Sequence, residues 1–60
     1  MTIDRILRRK EVEHLTGLSR STIHRRIRSG DFPIPIKLTA RLVGWRQTEL
    51  QRWLEARHNA

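Results

Sequence analysis

The sequence predicts a small α+β fold, mostly helical, with three short helices and one small antiparallel hairpin. Three observations carry that expectation. Ile23 and Ile27 lie four apart between Ser19 and Gly30, which is the spacing of a helix with one buried stripe. Residues 36–45 alternate apolar and polar after a corner holding both prolines, as paired strands do. Leu50, Trp53, Leu54 and Arg57 fall at i, i+3, i+4 and i+7, the face of a last helix. At 60 residues the chain is read as a single domain, 1–60, with an ordered core over about 6–57. A domain this small buries only about 60% of its unfolded surface, which leaves no room for a deep pocket.

Met1 to Arg9 is a basic lead-in anchored by Ile6 and Leu7, with Ile3 at its frayed end. In the first helix Val12 and Leu15, three apart, are expected to share the inner face. Glu11, Glu13 and His14 take the rest of its surface, with His14 solvated. Gly17 stops this helix. Ser19 is the N-cap of a second helix over about Arg20 to Ser29, and Gly30 stands where a left-handed residue ends it. With Ile23 and Ile27 buried, Arg20, Ser21, His24, Arg25 and Arg28 face outward. Two short helices joined by a tight glycine-containing turn make a helix-turn-helix.

Asp31 to Pro35 is a stiff corner, because each proline holds the residue before it extended. Phe32 is the plug between the helical pair and the rest of the chain. Ile36 and Leu38 point one way on the outgoing strand, Lys37 and Thr39 the other. Val43 and Trp45 share a face on the return, with Thr39, Ala40 and Arg41 near the tip and Leu42 turn-associated or exposed. This is a β-wing with a basic tip, and the whole reads as a winged helix-turn-helix. The last helix runs from about Gln47 to Arg57. Its start has two registers: a capping box of Thr48 and Gln51, or, in the register implied by the family resemblance given below, a beginning two residues earlier. Trp45 and Trp53 are assigned to the core, and His58 to Ala60 to a frayed end.

The charge narrows the function. Thirteen basic residues, eleven of them Arg, against six acids give a formal net charge of +7. That balance implies a polyanionic partner, with nucleic acid ahead of an acidic membrane surface. Absence of cysteine excludes disulfides and thiolate metal sites and favours an intracellular, cytoplasmic address. No apolar run is long enough to span a membrane. His14, His24 and His58 have no metal-ligating partner three or four residues away, and no Ser–His–Asp constellation or phosphate-cradling glycine loop exists. We therefore expect no enzyme, no metal, no cofactor and no small-molecule ligand.

The binding residues gather on the second helix. Ten residues rise roughly 15 Å, a length suited to a major groove. Ser19, Arg20, Ser21, Thr22, His24, Arg25 and Arg28 form the candidate contact set, with Arg20 and Ser21 in the first turn, where base edges are met. A merely solvated face mixes signs, whereas residues 19–30 hold four arginines and no acid. Lys37, Thr39 and Arg41 make a second set on the wing, aimed at phosphates or a minor groove. The partner expected is double-stranded DNA, with further copies of the chain on adjacent half-sites. RNA is disfavoured because no aromatic sheet face offers stacking. A reading from another class is a small protein-interaction adaptor that uses Trp53 and Leu54 as its anchor.

Several motifs together resemble the AlpA family of phage-type transcriptional regulators. They are Leu15-Thr16-Gly17-Leu18-Ser19-Arg20-Ser21-Thr22-Ile23, Arg25 followed by Ile27, Ser29-Gly30-Asp31-Phe32-Pro33, Ile36-Lys37-Leu38, Val43-Gly44-Trp45, and Glu49 with Trp53-Leu54. The resemblance covers roughly residues 6–57. It implies a winged helix-turn-helix of the kind shared with MerR regulators and excisionases, encoded in prophages and integrative elements. It also implies binding near integrase genes or attachment sites, either as a regulator or as an excisionase that bends DNA for recombination. Carried onto this chain, the contacts would be Arg20, Ser21, His24 and Arg25, with Arg41 and Lys37 on the wing. The chain departs from the family pattern at His24, where an aromatic is common, at Arg9, usually apolar, and at Glu13, where a small residue is usual.

Overall fold

A computed structural model describes residues 3–57; Met1, Thr2 and the expected frayed end, 58–60, lie outside the described residues. The elements in order are β1 (Ile6–Leu7), α1 (Arg9–Thr16), α2 (Arg20–Ser29), β2 (Ile36–Lys37), β3 (Val43–Arg46) and α3 (Gln47–Glu55). Three helices and a small antiparallel sheet make the α+β winged helix-turn-helix that the sequence predicts.

The helical pair forms for local reasons. Gly17 ends α1 at φ 74° and Gly30 ends α2 at φ 81°, the left-handed region that favours glycine. The Gly17 amide donates to Glu13 O at 2.8 Å. At the start of α2 the Ser19 hydroxyl accepts from the Thr22 amide at 3.2 Å, so the predicted cap and both helix limits are present.

Leu15 does not share the buried face of Val12. Val12 is fully buried, while Leu15 is 57% exposed. The residue beneath Val12 is Thr16, one full turn on, whose hydroxyl donates to Val12 O at 2.7 Å and accepts from the Leu18 amide at 3.2 Å. The second apolar contact of this region is Leu18, which packs on the core from beyond the turn. An eight-residue helix presents little more than one inward position, and Leu15 is rotated off it.

The sheet has three strands in the order β1-β3-β2, rather than the hairpin alone. Ile6 pairs with Arg46 and Leu7 with Trp45 on one side of β3. On the other side Ile36 pairs with Gly44 and Lys37 with Val43. Gly44 makes the three-stranded arrangement possible. A Cβ there would overlap Ile6 Cγ2 and stand 3.1 Å from Leu7 O. Val43 has the parity of Trp45, yet it is 40% exposed against 3% for Trp45. The shared face continues past the edge of the core at the wing, so parity alone does not bury Val43.

The core takes one side chain from nearly every piece of the chain: Leu7, Val12, Ile23, Phe32, Trp45 and Leu50, with Leu18, Ile27 and Trp53 packed against them. Phe32 lies between the two tryptophans. Its ring meets Trp45 edge-on at 6.3 Å and Trp53 at 4.7 Å. The two indole N–H groups hold the corner that carries Phe32: Trp45 Nε1 donates to Pro33 O at 2.8 Å, and Trp53 Nε1 to Asp31 O at 3.0 Å.

Helix α3 begins in the earlier of the two registers, with Arg46 as its N-cap and no capping side chain of its own. Thr48 therefore sits inside the first turn and forms no capping box. Asp4 supplies the missing acceptor from across the sheet, taking the Thr48 amide at 3.4 Å and the Thr48 hydroxyl at 2.5 Å. The helix stops at Glu55, short of Arg57, which instead lies over the Trp53 ring at 4.5 Å.

Candidate nucleic-acid interface

The outer face of α2 is a shallow open trough lined by Arg20, Ser21, His24, Arg25 and Arg28. These five exposed residues are the ones that the helical period turns outward once Ile23 and Ile27 face in. The other two of the candidate set, Ser19 and Thr22, are engaged with each other. The Ser19 hydroxyl donates to Thr22 Oγ1 at 3.0 Å while it accepts the Thr22 amide. They shape the helix start, beside the outward-pointing first amides of α2.

The arginines of α2 are sorted by ion pairing. Arg26, half-buried on the inner side, pairs with the Asp31 carboxylate, which Arg57 also approaches at 3.4 Å. Arg20, Arg25 and Arg28 have no acidic partner among the described residues. The one arginine not assigned to the outer face is thus neutralised, and the three outward ones keep a bare positive charge.

The wing set divides similarly. Lys37 and Arg41 are exposed and carry no ion pair among the described residues. Thr39 is occupied with the turn. Its Oγ1 accepts from the Arg41 amide at 3.3 Å and the Leu42 amide at 3.1 Å, and its own amide donates to Leu42 O at 3.1 Å. Leu42 is partly exposed on that turn, as its parity predicts. The fold brings Arg41 next to Arg8, Arg9 and Lys10, at the start of α1. Sequence reasoning puts none of those three basic residues in a binding set; the run itself is visible, but its proximity to the wing is not.

Arg9 and Glu13, two of the departures from the family pattern, stand in one another's reach. Arg9 Nε lies 3.3 Å from Glu13 Oε2, close enough to attract but not aligned as a hydrogen bond. The acids of α1 are thereby engaged, since Glu11 accepts from Arg5 Nη2 at 2.7 Å. No group of three or more His, Asp or Glu among the described residues is placed to hold a metal ion. No described helix is long and apolar enough to cross a membrane.

The chain is similar in sequence to known phage proteins. Over 57 residues the chain is 46% identical to a protein of Enterobacteria phage P4 named "Uncharacterized protein ORF88". The alignment takes in 95% of this chain and 65% of the phage protein, so the chain spans just under two thirds of that relative's length. Residues 5–58 match the family described as "Prophage CP4-57 regulatory protein (AlpA)", a span that includes both helices of the pair, the corner, the wing and α3. The chain belongs to the AlpA family of prophage regulatory proteins.

Proposed function

We propose that the chain is a sequence-specific double-stranded DNA-binding regulator, with α2 in the major groove and the wing on the flanking backbone. The observation that carries this reading is the sorting of charge on α2: Arg26 is held by Asp31, and Arg20, Arg25 and Arg28 line an open face with Ser21 and His24. Arg20, Ser21, His24 and Arg25 face base edges in this arrangement. An arginine fork bonds guanine through two acceptors, worth about 1–3 kcal/mol of discrimination. Arg28, Lys37 and Arg41 meet phosphates. Ser19 and Thr22 set the helix start beside a phosphate, and Thr39 holds the wing turn that carries Arg41. The reading requires no catalysis and no cofactor, and its setting is the bacterial cytoplasm. One unit covers a short site, so repeated or paired half-sites are expected.

Trp53 speaks against the adaptor alternative. Its ring lies against Phe32 and under Arg57, and its N–H is bonded to Asp31 O.

The test is selection of binding sites from random duplex DNA, followed by titration of the enriched site and a scrambled duplex at two salt concentrations. A defined motif bound about 10³-fold or more above the scrambled duplex supports a sequence-reading regulator. Binding without a motif and with a steep salt slope overturns it. The position of the motif, at a promoter or at an attachment site, separates a transcriptional role from an architectural one in excision.

A further inference from the structure

A second concentration of positive charge lies on residues outside the α2 face. Arg8, Arg9, Lys10, Arg41 and Val43 line an open trough between the start of α1 and the wing tip. Two distant stretches of sequence build it. Arg8 is the residue from which α1 starts, its carbonyl accepting the Val12 amide at 3.0 Å. Arg41 is presented by the turn that Thr39 clasps.

Nearby acids neutralise only one of the four cations of this trough, Arg9. Glu11 is turned to Arg5 and the Arg8 amide, and Glu13 to Arg9. Arg8, Lys10 and Arg41 have no ion pair among the described residues. Like charges gathered round one concavity repel, and a polyanion laid along it relieves that repulsion.

The trough borders the depression at the helical turn, through Lys10. Lys10 lines the next depression, with Glu13, His14, Gly17, Leu18 and Ser19. Ser19 in turn caps α2, where Arg20 and Ser21 open the outer trough. A track of lining residues thus runs from the wing tip past Lys10 and Glu13 to Ser19, next in sequence to Arg20, with its unpaired cations at Arg8, Lys10 and Arg41.

We propose that Arg8 and Lys10, together with Arg41, form a binding site for backbone phosphates of the duplex, beside the groove that α2 enters. The inference rests on the duplex-binding reading and extends it. The site is independent of base sequence, and it lengthens the footprint on the wing side.

The experiment compares the wild-type chain with Arg8→Gln/Lys10→Gln, Arg41→Gln and a control, Arg52→Gln, an exposed residue of α3 outside the track. Each protein, checked for unchanged far-UV circular dichroism, is titrated with the selected duplex and a scrambled one between about 50 and 200 mM salt. The double variant is expected to lower the magnitude of the log–log salt slope by roughly 1.8, and Arg41→Gln by roughly 0.9. Both should weaken the two duplexes by the same factor, and phosphate-ethylation interference should disappear on one flank of the site. Arg52→Gln should leave the slope unchanged. An unchanged slope in the double variant, or an equal loss in Arg52→Gln, overturns the proposal while leaving the role of α2 intact. Failure of the wild-type chain to bind any duplex overturns the duplex-binding reading itself.

Discussion

The carboxylate of Asp31 joins Arg26, on the inner side of α2, to Arg57, just beyond α3. The main chain of the same residue accepts the Trp53 indole, and Arg57 covers that indole from the other side. One residue at the end of α2 therefore fixes that helix against α3 and neutralises the arginine that its outer face does not use.

Asp31→Asn should reveal both effects. The ion pairs are partly exposed, so their loss should cost no more than about 1 kcal/mol, as exposed pairs do. The backbone bond to Trp53 is retained. Affinity for scrambled duplex should rise, because the substitution removes a negative charge beside α2 and releases Arg26. Denaturant unfolding and duplex titration measure the two quantities. A fall in scrambled-duplex affinity would mean that Asp31 acts chiefly by positioning α2.

Phe32→Ala should abolish the fold. The ring is nearly fully buried between Trp45 and Trp53. Removing a buried Phe costs about 3–5 kcal/mol. A core this small supplies about as much in total. The check is loss of cooperative thermal unfolding together with a red shift of tryptophan emission. A folded, blue-emitting Phe32→Ala protein would contradict the central place of the corner in the core.

Gly44→Ala tests the unforeseen strand. The added methyl meets Ile6 Cγ2 and the Leu7 carbonyl, so it should push β1 away from β3. A loss of about 1–3 kcal/mol is expected, the usual cost of overpacking. Adding Ile6→Ala should recover part of it, which a double-mutant cycle of urea midpoints would read as non-additivity. Strict additivity would mean that the two residues do not meet.

Arg25→Ala separates base reading from phosphate contact. If Arg25 reads a base, binding to the selected site should weaken by about 1–3 kcal/mol and preference should relax at one position. Binding to scrambled duplex should change little. Equal losses on both duplexes would make Arg25 a phosphate contact.

The sequence suffices for the helical pair, down to the limits of α2, and for the set of side chains that α2 turns outward. The reasons are local. Ser19 caps an amide three residues away, Gly17 and Gly30 adopt a φ that other residues rarely do, and Ile23 fixes which side is inner. It also identified Phe32 as the plug, because two prolines hold the backbone round it extended. The packed fold was needed to pair residues 6 and 7 with β3, to turn Leu15 out and to leave Val43 past the edge of the core. It alone set Asp4 on the first turn of α3, 44 residues away, and Asp31 on Arg57, 26 residues away. Likewise it brought Arg41 to the start of α1. Each of these depends on what lies across a gap in space. Helix period, strand parity and capping motifs encode only which way a residue points along its own element.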